Sequence, residues 1–557
     1  MSTGTAGRRR GRVRRGPFAV IPIFVVLALA LGACTSSDDD DDNASGDDTT
    51  TTASGSNSNL PLTYAAAKAD GKEGDIEWGD QCDTEIGRLK VPVVNAPPCV
   101  EPYTGTDNGG ATAQGVTADE ILVAVYKGQP DPLQQAIIEG AGADTDPNTI
   151  NQTTIDYLKM FEDIVETYGR TLKIETIEAT GGPADSTAAL ADAQKAIALK
   201  PFAVVGGPAQ TPAWWQEITN AKIVCVGGCS LAQTQDIVDK AAPYLWPTGP
   251  APEQADAHLE ELVGKQLAGK PVEYATDALN GKDRVYGWIQ AETQTGQYQQ
   301  RIEAAEKNLK DDYDVDISAD YTYLYDPANA QQISTTAVAR MKDAGVTTVI
   351  LSVDPLIPAD ITKEATKQNY FPEWVLGPNV LMDTTIFGRR TDQDQWSHMI
   401  GISLPTARGQ REQSDSYLSY QWYYGKEVPV NSQAVLYPAP WQLLVGISLA
   451  GPNLTPETYR DGLFNYPSQE GLITSTYVSW GNDLWPTTDY NSSDDSTAIF
   501  WDRAATGKDE AGNEGTGMVA YVDGGKRYLP GQWPTEKIPF YDDPDAVTIY
   551  DQRPDAA

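Results

Sequence analysis

The side chains that most often carry out covalent chemistry are scarce in this chain. Only two histidines occur, His258 and His398, so Ser-His-Asp and Cys-His nucleophiles and histidine-based zinc sites lack raw material. Acids are abundant, 78 Asp plus Glu against 41 Lys plus Arg. No two of them stand in a pattern that would pair them for general acid-base work, which disfavours a hydrolase built on paired carboxylates. The formal net charge of −37 argues against nucleic acid as a partner, because phosphate backbones are held by Lys and Arg. No catalytic residue, metal or cofactor is expected. Apart from Cys34, the cysteines are Cys82, Cys99, Cys225 and Cys229, which permit three pairings in an oxidising compartment. Closeness in sequence favours Cys82–Cys99 and Cys225–Cys229; free thiols are the alternative. A zinc site is disfavoured because no CxxC or nearby histidine completes it.

The compartment is read from the first residues. Six arginines lie between Arg8 and Arg15, followed by an apolar stretch from Pro17 to Leu31. This is the basic and apolar pattern of a secretory signal peptide, short for a membrane span of about 20 residues. The stretch ends Leu31-Gly32-Ala33-Cys34, which resembles a bacterial lipoprotein lipobox. The resemblance implies cleavage before Cys34 and a diacylglycerol on its thiol. A signal anchor with a chance cysteine is the bland alternative. Residues 34–59 are rich in Ser, Thr, Asp and Gly, with a run from Asp38 to Asp42, and are expected to form a disordered acidic tether. Each buried lipid methylene contributes about 0.8 kcal/mol, so two or three chains would hold the protein at the membrane through the anchor alone.

The elements that must position any site begin after a proline-rich extension, 60–115. A length of 557 residues suits two to four domains. From Val116 on, apolar runs of strand length alternate with helical spacing. Ile121 to Tyr126, Leu172 to Ile177, Phe202 to Gly207 and Lys222 to Val226 are predicted strands, with helices near Ile155–Val165, Ala188–Leu199 and Trp214–Ile218. The rhythm breaks near Tyr244–Pro250, and a helix is predicted from about Pro252 to Leu267. A second series then follows: strands Arg284–Ile289, Ala319–Leu324, Val346–Val353, Trp374–Gly377 and Met399–Leu404, separated by helices. Late β segments are predicted near Thr474–Trp480, Ala498–Trp501 and Met518–Val522. Two βα series imply two α/β lobes with parallel sheets.

With these segments in that order, the chain resembles the type I periplasmic-binding-protein family, in its branched-chain amino-acid and amide branch. Gly115-Val116-Thr117-Ala118-Asp119-Glu120-Ile121, Ala203-Val204-Val205-Gly206-Gly207 with Trp214, Tyr244 to Thr248, and Asp326 through Pro355 carry the resemblance, which covers about Gly115 to Pro534. The chain departs from it at Lys127 to Pro132, where the family has a glycine-containing stretch. The implied fold class is α/β, two Rossmann-like lobes joined by a multi-strand hinge (a Venus flytrap) with an N-terminal extension. The expected organisation is a signal peptide at 1–33, the tether, the extension, lobe I at 116–250 and 406–478, lobe II at 251–405 and 479–540, and a C-terminal tail at 541–557. The resemblance further implies a solute receptor of an ATP-driven (ABC) importer, docking on permease subunits after closing over a small polar solute.

Ligands in open parallel sheets bind beyond the carboxyl ends of the strands. That rule selects Gln129, Gln210, Thr211 and Ser230 in lobe I, and Tyr298, Asp354 and Asn379 in lobe II. Each has a plainer reading: Thr211 and Ser230 as helix caps, Asp354 as a turn aspartate before Pro355, Tyr298 as a surface ring. A sensory or scaffolding protein of the same fold without a ligand is the rival reading.

Overall fold

In the computed structural model, residues 60–555 are described apart from 130–134, 136–138, 140, 141, 143–145, 209, 228, 230–232, 293–295, 297, 325 and 380. The extension carries two short antiparallel strands, β1 (Cys82–Asp83) and β2 (Arg88–Leu89). The Cys82–Cys99 disulfide, Tyr64, Ala67 and Trp78 give it a small core of its own. Arg88 fastens it to the main body through the Tyr466 hydroxyl at 2.7 Å.

The run Ile121 to Val125 is rich in β-branched residues, and its buried centre forms β3 (Glu120–Lys127). It pairs in parallel with β4 (Thr171–Glu178) on one side and β5 (Ala203–Val205) on the other. The sheet continues through β6 (Val224–Val226) and β7 (Leu245–Trp246) in the order β4-β3-β5-β6-β7. The helix Pro147–Ile164 opens with Asp146 as cap, its carboxylate accepting the N–H groups of Asn148 and Thr149 at 3.2 Å. Proline follows at the first helical position, and the helix buries Tyr157, Leu158, Met160 and Phe161. The strand predicted from Lys222 starts only at Val224, because Lys222 holds a left-handed φ of 63° that no strand residue adopts.

The second sheet contains β8 (Tyr286–Glu292), β9 (Ile317–Leu324), β10 (Thr348–Ser352), β11 (Glu373–Leu376) and β12 (Met399–Ser403) in the order β9-β8-β10-β11-β12, all parallel. The long hairpin of β13 (Ser496–Lys508) and β14 (Glu514–Tyr521) then adds antiparallel, with β15 (Arg527–Tyr528) beside β13. Both sheets therefore share one parallel plan, 2-1-3-4-5 in their own strand numbering.

The first sheet shares a single buried cluster with residues from Tyr417 to Tyr490, notably the helix Pro438–Ala450, buried from Ala439 to Ala450. Full burial of side chains such as Leu443, Leu444 and Ile447 contributes about 1.5–3 kcal/mol each. The faces of the second sheet pack on two further clusters. The helix predicted over 252–267 is α-helical at Pro252–Glu261 and widens to a π turn over Leu262–Leu267. The strand predicted at Thr474–Trp480 does not form. Its backbone donors are taken by carboxylates instead: the N–H of Thr474 by Asp555 at 2.7 Å and that of Ser479 by Asp494 at 2.8 Å.

Among the described residues the chain passes between the two sheet systems three times: after Trp246, after Ser403, and between Tyr490 and Ser496. No described helix is long and apolar enough to cross a membrane.

Candidate functional site

In a 2-1-3-4-5 sheet the strand order reverses between the first and third strands, and the two connections leaving that point diverge to open a crevice. Here the reversals lie between β3 and β5 and between β8 and β10. β7 and β12 both run by their carboxyl ends into a crossing, so both crevices open on the side where the lobes are joined.

The lobe I candidates gather around one loop. Gln129, just past β3, donates from Nε2 to the Ala179 carbonyl at 3.0 Å. Gln210 donates its backbone N–H to Pro183 at 3.1 Å, and the Thr211 hydroxyl lies 2.7 Å from that of Ser186. Thr211 is buried and also accepts the N–H of Ala213 at 3.3 Å, in a turn ahead of the helix Ala213–Asn220, whose cap position is Pro212. Gln129 and Gln210 are exposed. The loop they flank, 179–186, is held by a residue the sequence reading passed over. Asp192, fully buried on the helix Ser186–Leu199, accepts the N–H and hydroxyl of Thr180 at 2.8 and 2.9 Å and Lys195 Nζ at 2.8 Å. Burial pushes this carboxyl up, but the bonds from Lys195 and Thr180 outweigh it and hold the group below the ordinary carboxylate range. The Tyr126 hydroxyl reaches Asp192 at 3.4 Å. Burial and that carboxylate raise the phenol.

On β6 and the loop after it, the Cys225–Cys229 disulfide spans 6.1 Å between Cα atoms. Gly227 inside it has a φ of 46°, and a Cβ there would lie 2.3 Å from that of Ala439. Only glycine lets the helix Pro438–Ala450 approach the strand end this closely. Ser230 and Cys34 lie outside the described residues.

In lobe II, Tyr298 and Asp354 follow β8 and β10, one on each side of the reversal. Tyr298 donates its N–H to Glu292 at 3.1 Å, and the Arg301 guanidinium sits 5.1 Å from its ring centre. Arg301 in turn donates to both oxygens of Asp256 at 2.7 Å. Asp354 is engaged at both oxygens. Oδ1 accepts the N–H groups of Leu356 and Ile357 at 2.8 and 3.0 Å, and Oδ2 accepts the Tyr323 hydroxyl at 2.5 Å. It closes a turn just ahead of the helix Ile357–Lys367, and burial raises its carboxyl. Asn379 is occupied in its own loop, accepting the N–H of Met382 at 2.8 Å. The sequence reading also missed Gln290 on β8, a fully buried amide with no partner at either end. Its place in an apolar strand, between Ile289 and Ala291, was the available signal.

The lobes meet at places away from these candidates. The turn between β13 and β14 touches Gly142, where a Cβ would lie 2.3 Å from that of Ala511. At the crossings, Arg527 binds Asp495 at 2.7 and 2.8 Å and the carbonyls of Leu404 and Pro405 at 2.8 and 3.1 Å, clamping the second crossing to the third. Gln254, just past the first crossing, donates to Asp489 at 2.9 Å.

No protein-family model matches the chain, and no curated protein matches it. Solved structures do. The leucine-, isoleucine-, valine-, threonine- and alanine-binding protein of Brucella ovis, in a closed conformation, aligns with a TM-score of 0.51 at 13% identity, covering 75% of this chain and 98% of its own. A fatty acid ABC transporter substrate-binding protein from Thermomonospora curvata aligns at 0.49 and 15%, covering 77% and 97%. A branched-chain amino acid transporter substrate-binding protein from Streptococcus pneumoniae, solved with isoleucine, aligns at 0.46 and 14%, covering 72% and 100%. The Brucella alignment and the twin 2-1-3-4-5 sheets with their three crossings define the class: the two-lobed α/β fold of the type I periplasmic-binding proteins.

Proposed function

We propose that the protein is an extracytoplasmic solute-binding lipoprotein of an ABC importer, held at the outer face of the cytoplasmic membrane through Cys34. It closes its lobes over a small polar solute, an amino acid, amide or similar molecule, and presents the closed form to permease subunits. The observation that carries this reading is the placement of polar side chains at both strand-order reversals, Gln129, Gln210 and Thr211 in one lobe and Tyr298 and Asp354 in the other. A ligand touching both lobes favours the closed state by its differential affinity for it.

The chain without its first 33 residues should be screened against solute libraries by melting temperature and by fluorescence of its 13 tryptophans. A true ligand at a hundred times its Kd stabilises the fold by about 2.7 kcal/mol, well within detection. A complete absence of shifts overturns the reading. In the intact chain, Cys34→Ala should move the protein from the membrane fraction to the medium or periplasm. One observation favours the second reading, an envelope protein that senses or scaffolds without transport: the Thr211 hydroxyl and both Asp354 oxygens are already engaged within the protein. Retention of the fold with no ligand and an interlobe space filled by side chains would support it.

A further inference from the structure

The third crossing buries acids without giving them a cation. Asp489 and Asp494 are 2% and 1% exposed. Asp489 Oδ1 accepts Gln254 Nε2 and the N–H of Asn491, both at 2.9 Å, and Asn491 Nδ2 at 3.3 Å. Asp494 Oδ1 accepts Trp485 Nε1 at 2.7 Å, and its Oδ2 accepts the N–H and hydroxyl of Ser479 at 2.8 Å. The two carboxyl groups lie within hydrogen-bonding reach of each other, and Asp489 Oδ2 has no other donor.

The surrounding charges do not relieve the pair. Arg527 is spent on Asp495. His258 bonds the Asp494 carbonyl at 3.0 Å through Nε2 and accepts Trp533 Nε1 at 3.2 Å on Nδ1, so its ring is neutral. The remaining titratable neighbours, Tyr477 and Asp483 on the same segment and Glu261 near His258, supply acids and a phenol. Two carboxylates in contact and out of water cannot both stay ionised.

We propose that Asp489 and Asp494 share one proton between them, and that this acid pair is a proton-dependent clasp tying the third interlobe crossing to the helix Pro252–Glu261 that follows the first. One carboxyl donates to the other, which supplies the missing donor at Asp489 Oδ2. Burial raises both groups, Asp494 well above the ordinary carboxylate range. A group raised on folding stabilises fully below its unfolded value, and the contribution is lost as pH rises through the folded value. The clasp's contribution to stability is therefore greatest in acid and declines as pH rises above the ordinary carboxylate range. A bound cation fits less well. Both Asp494 oxygens already carry donors, oxygen-ligated cations such as calcium take six to eight ligands, and no group of three or more His, Cys, Asp or Glu among the described residues could hold a metal. The inference rests on the hinge and is independent of any ligand.

The test compares denaturant unfolding of the purified wild-type chain with Asp489→Asn and Asp494→Asn from about pH 5 to about pH 9. In Asp489→Asn an amide N–H replaces the shared proton. The wild-type unfolding constant is expected to rise relative to that variant by up to about tenfold per pH unit across the titration of the pair. Buried Asp256 and Glu260, pushed up to about 7 and about 8, add the same slope to every protein and cancel in the comparison. The infrared difference between wild type and each variant at about pH 5, already above the ordinary carboxylate range, should show one protonated carboxyl lost. If one variant does not fold, the difference between wild type and the other variant still decides. Parallel pH profiles with no carboxyl band in the difference overturn the proposal. So does a rise in wild-type melting temperature on adding millimolar calcium chloride without that band, which would assign the site to a cation.

Discussion

At the strand ends of lobe I, Asp192 is fully buried beside Lys195 and held below the ordinary carboxylate range; in the third crossing, Asp494 is buried as deeply beside Asp489 and pushed well above it. Desolvation is the largest influence on both, and in both it opposes the charge. The difference lies in what stands nearby. A lysine and two Thr180 donors reverse the effect of burial in one region, whereas a second acid compounds it in the other. The lobe I loop is thus built on a charge, and the crossing on a proton.

That contrast can be broken in graded ways. The largest effect is expected from Arg527→Met, which leaves Asp495 buried without its cation and strips three crossing carbonyls, those of Leu404, Pro405 and Asp495, of a donor. A loss of about 3–5 kcal/mol in denaturant unfolding is expected. Next comes the acid limb of the pH profile. Burial depresses His258 from 6.5 to about 4, so the unfolded chain binds the extra proton in that window. The contribution of His258 is complete above about 6.5 and falls as pH drops towards about 4, by up to about 1.4 kcal/mol per pH unit. His258→Gln should flatten that limb, and an unchanged slope would place the titration elsewhere. Asp192→Ala in lobe I should cost about 1–3 kcal/mol, because Thr180 and Lys195 lose their acceptor. The smallest effect is expected from Lys240→Ala, which breaks an exposed i,i+4 pair with Asp236. No shift in melting temperature should be measurable, as is usual for solvated ion pairs. A large shift there would show that exposed charge matters in this acidic chain as much as buried charge.

Much of the fold was legible because its signals are local. The β-branched run at Ile121–Val125, the spacing of Leu158 and Phe161, and the proline after Asp146 each specify an element from neighbours in sequence. The strand ends were legible only to within two or three residues: the strand predicted over Arg284–Ile289 runs from Tyr286 to Glu292, and that predicted over Phe202–Gly207 from Ala203 to Val205. Thr474–Trp480 was misread because its apolar residues suggest a strand, while its backbone donors go to Asp555 and Asp494, acids 15 or more residues away. Gln290 and Asp192 were missed for a related reason: a polar residue in an apolar element looks like noise until its neighbours are known. The pairings Cys82–Cys99 and Cys225–Cys229, chosen for closeness in sequence, are the ones that form.

Sequence alone determined most of the segments that become strands and helices, their alternation, and hence two parallel α/β layers, because hydrophobic period and capping act over a few residues. Only the tertiary structure decided which polar groups meet. Gln254 and Asp489 are 235 residues apart, and Arg88 and Tyr466 are 378. Whether a buried acid ends beside a lysine or beside another acid depends on how the three crossings bring distant segments together, and with it whether that acid keeps its charge or its proton.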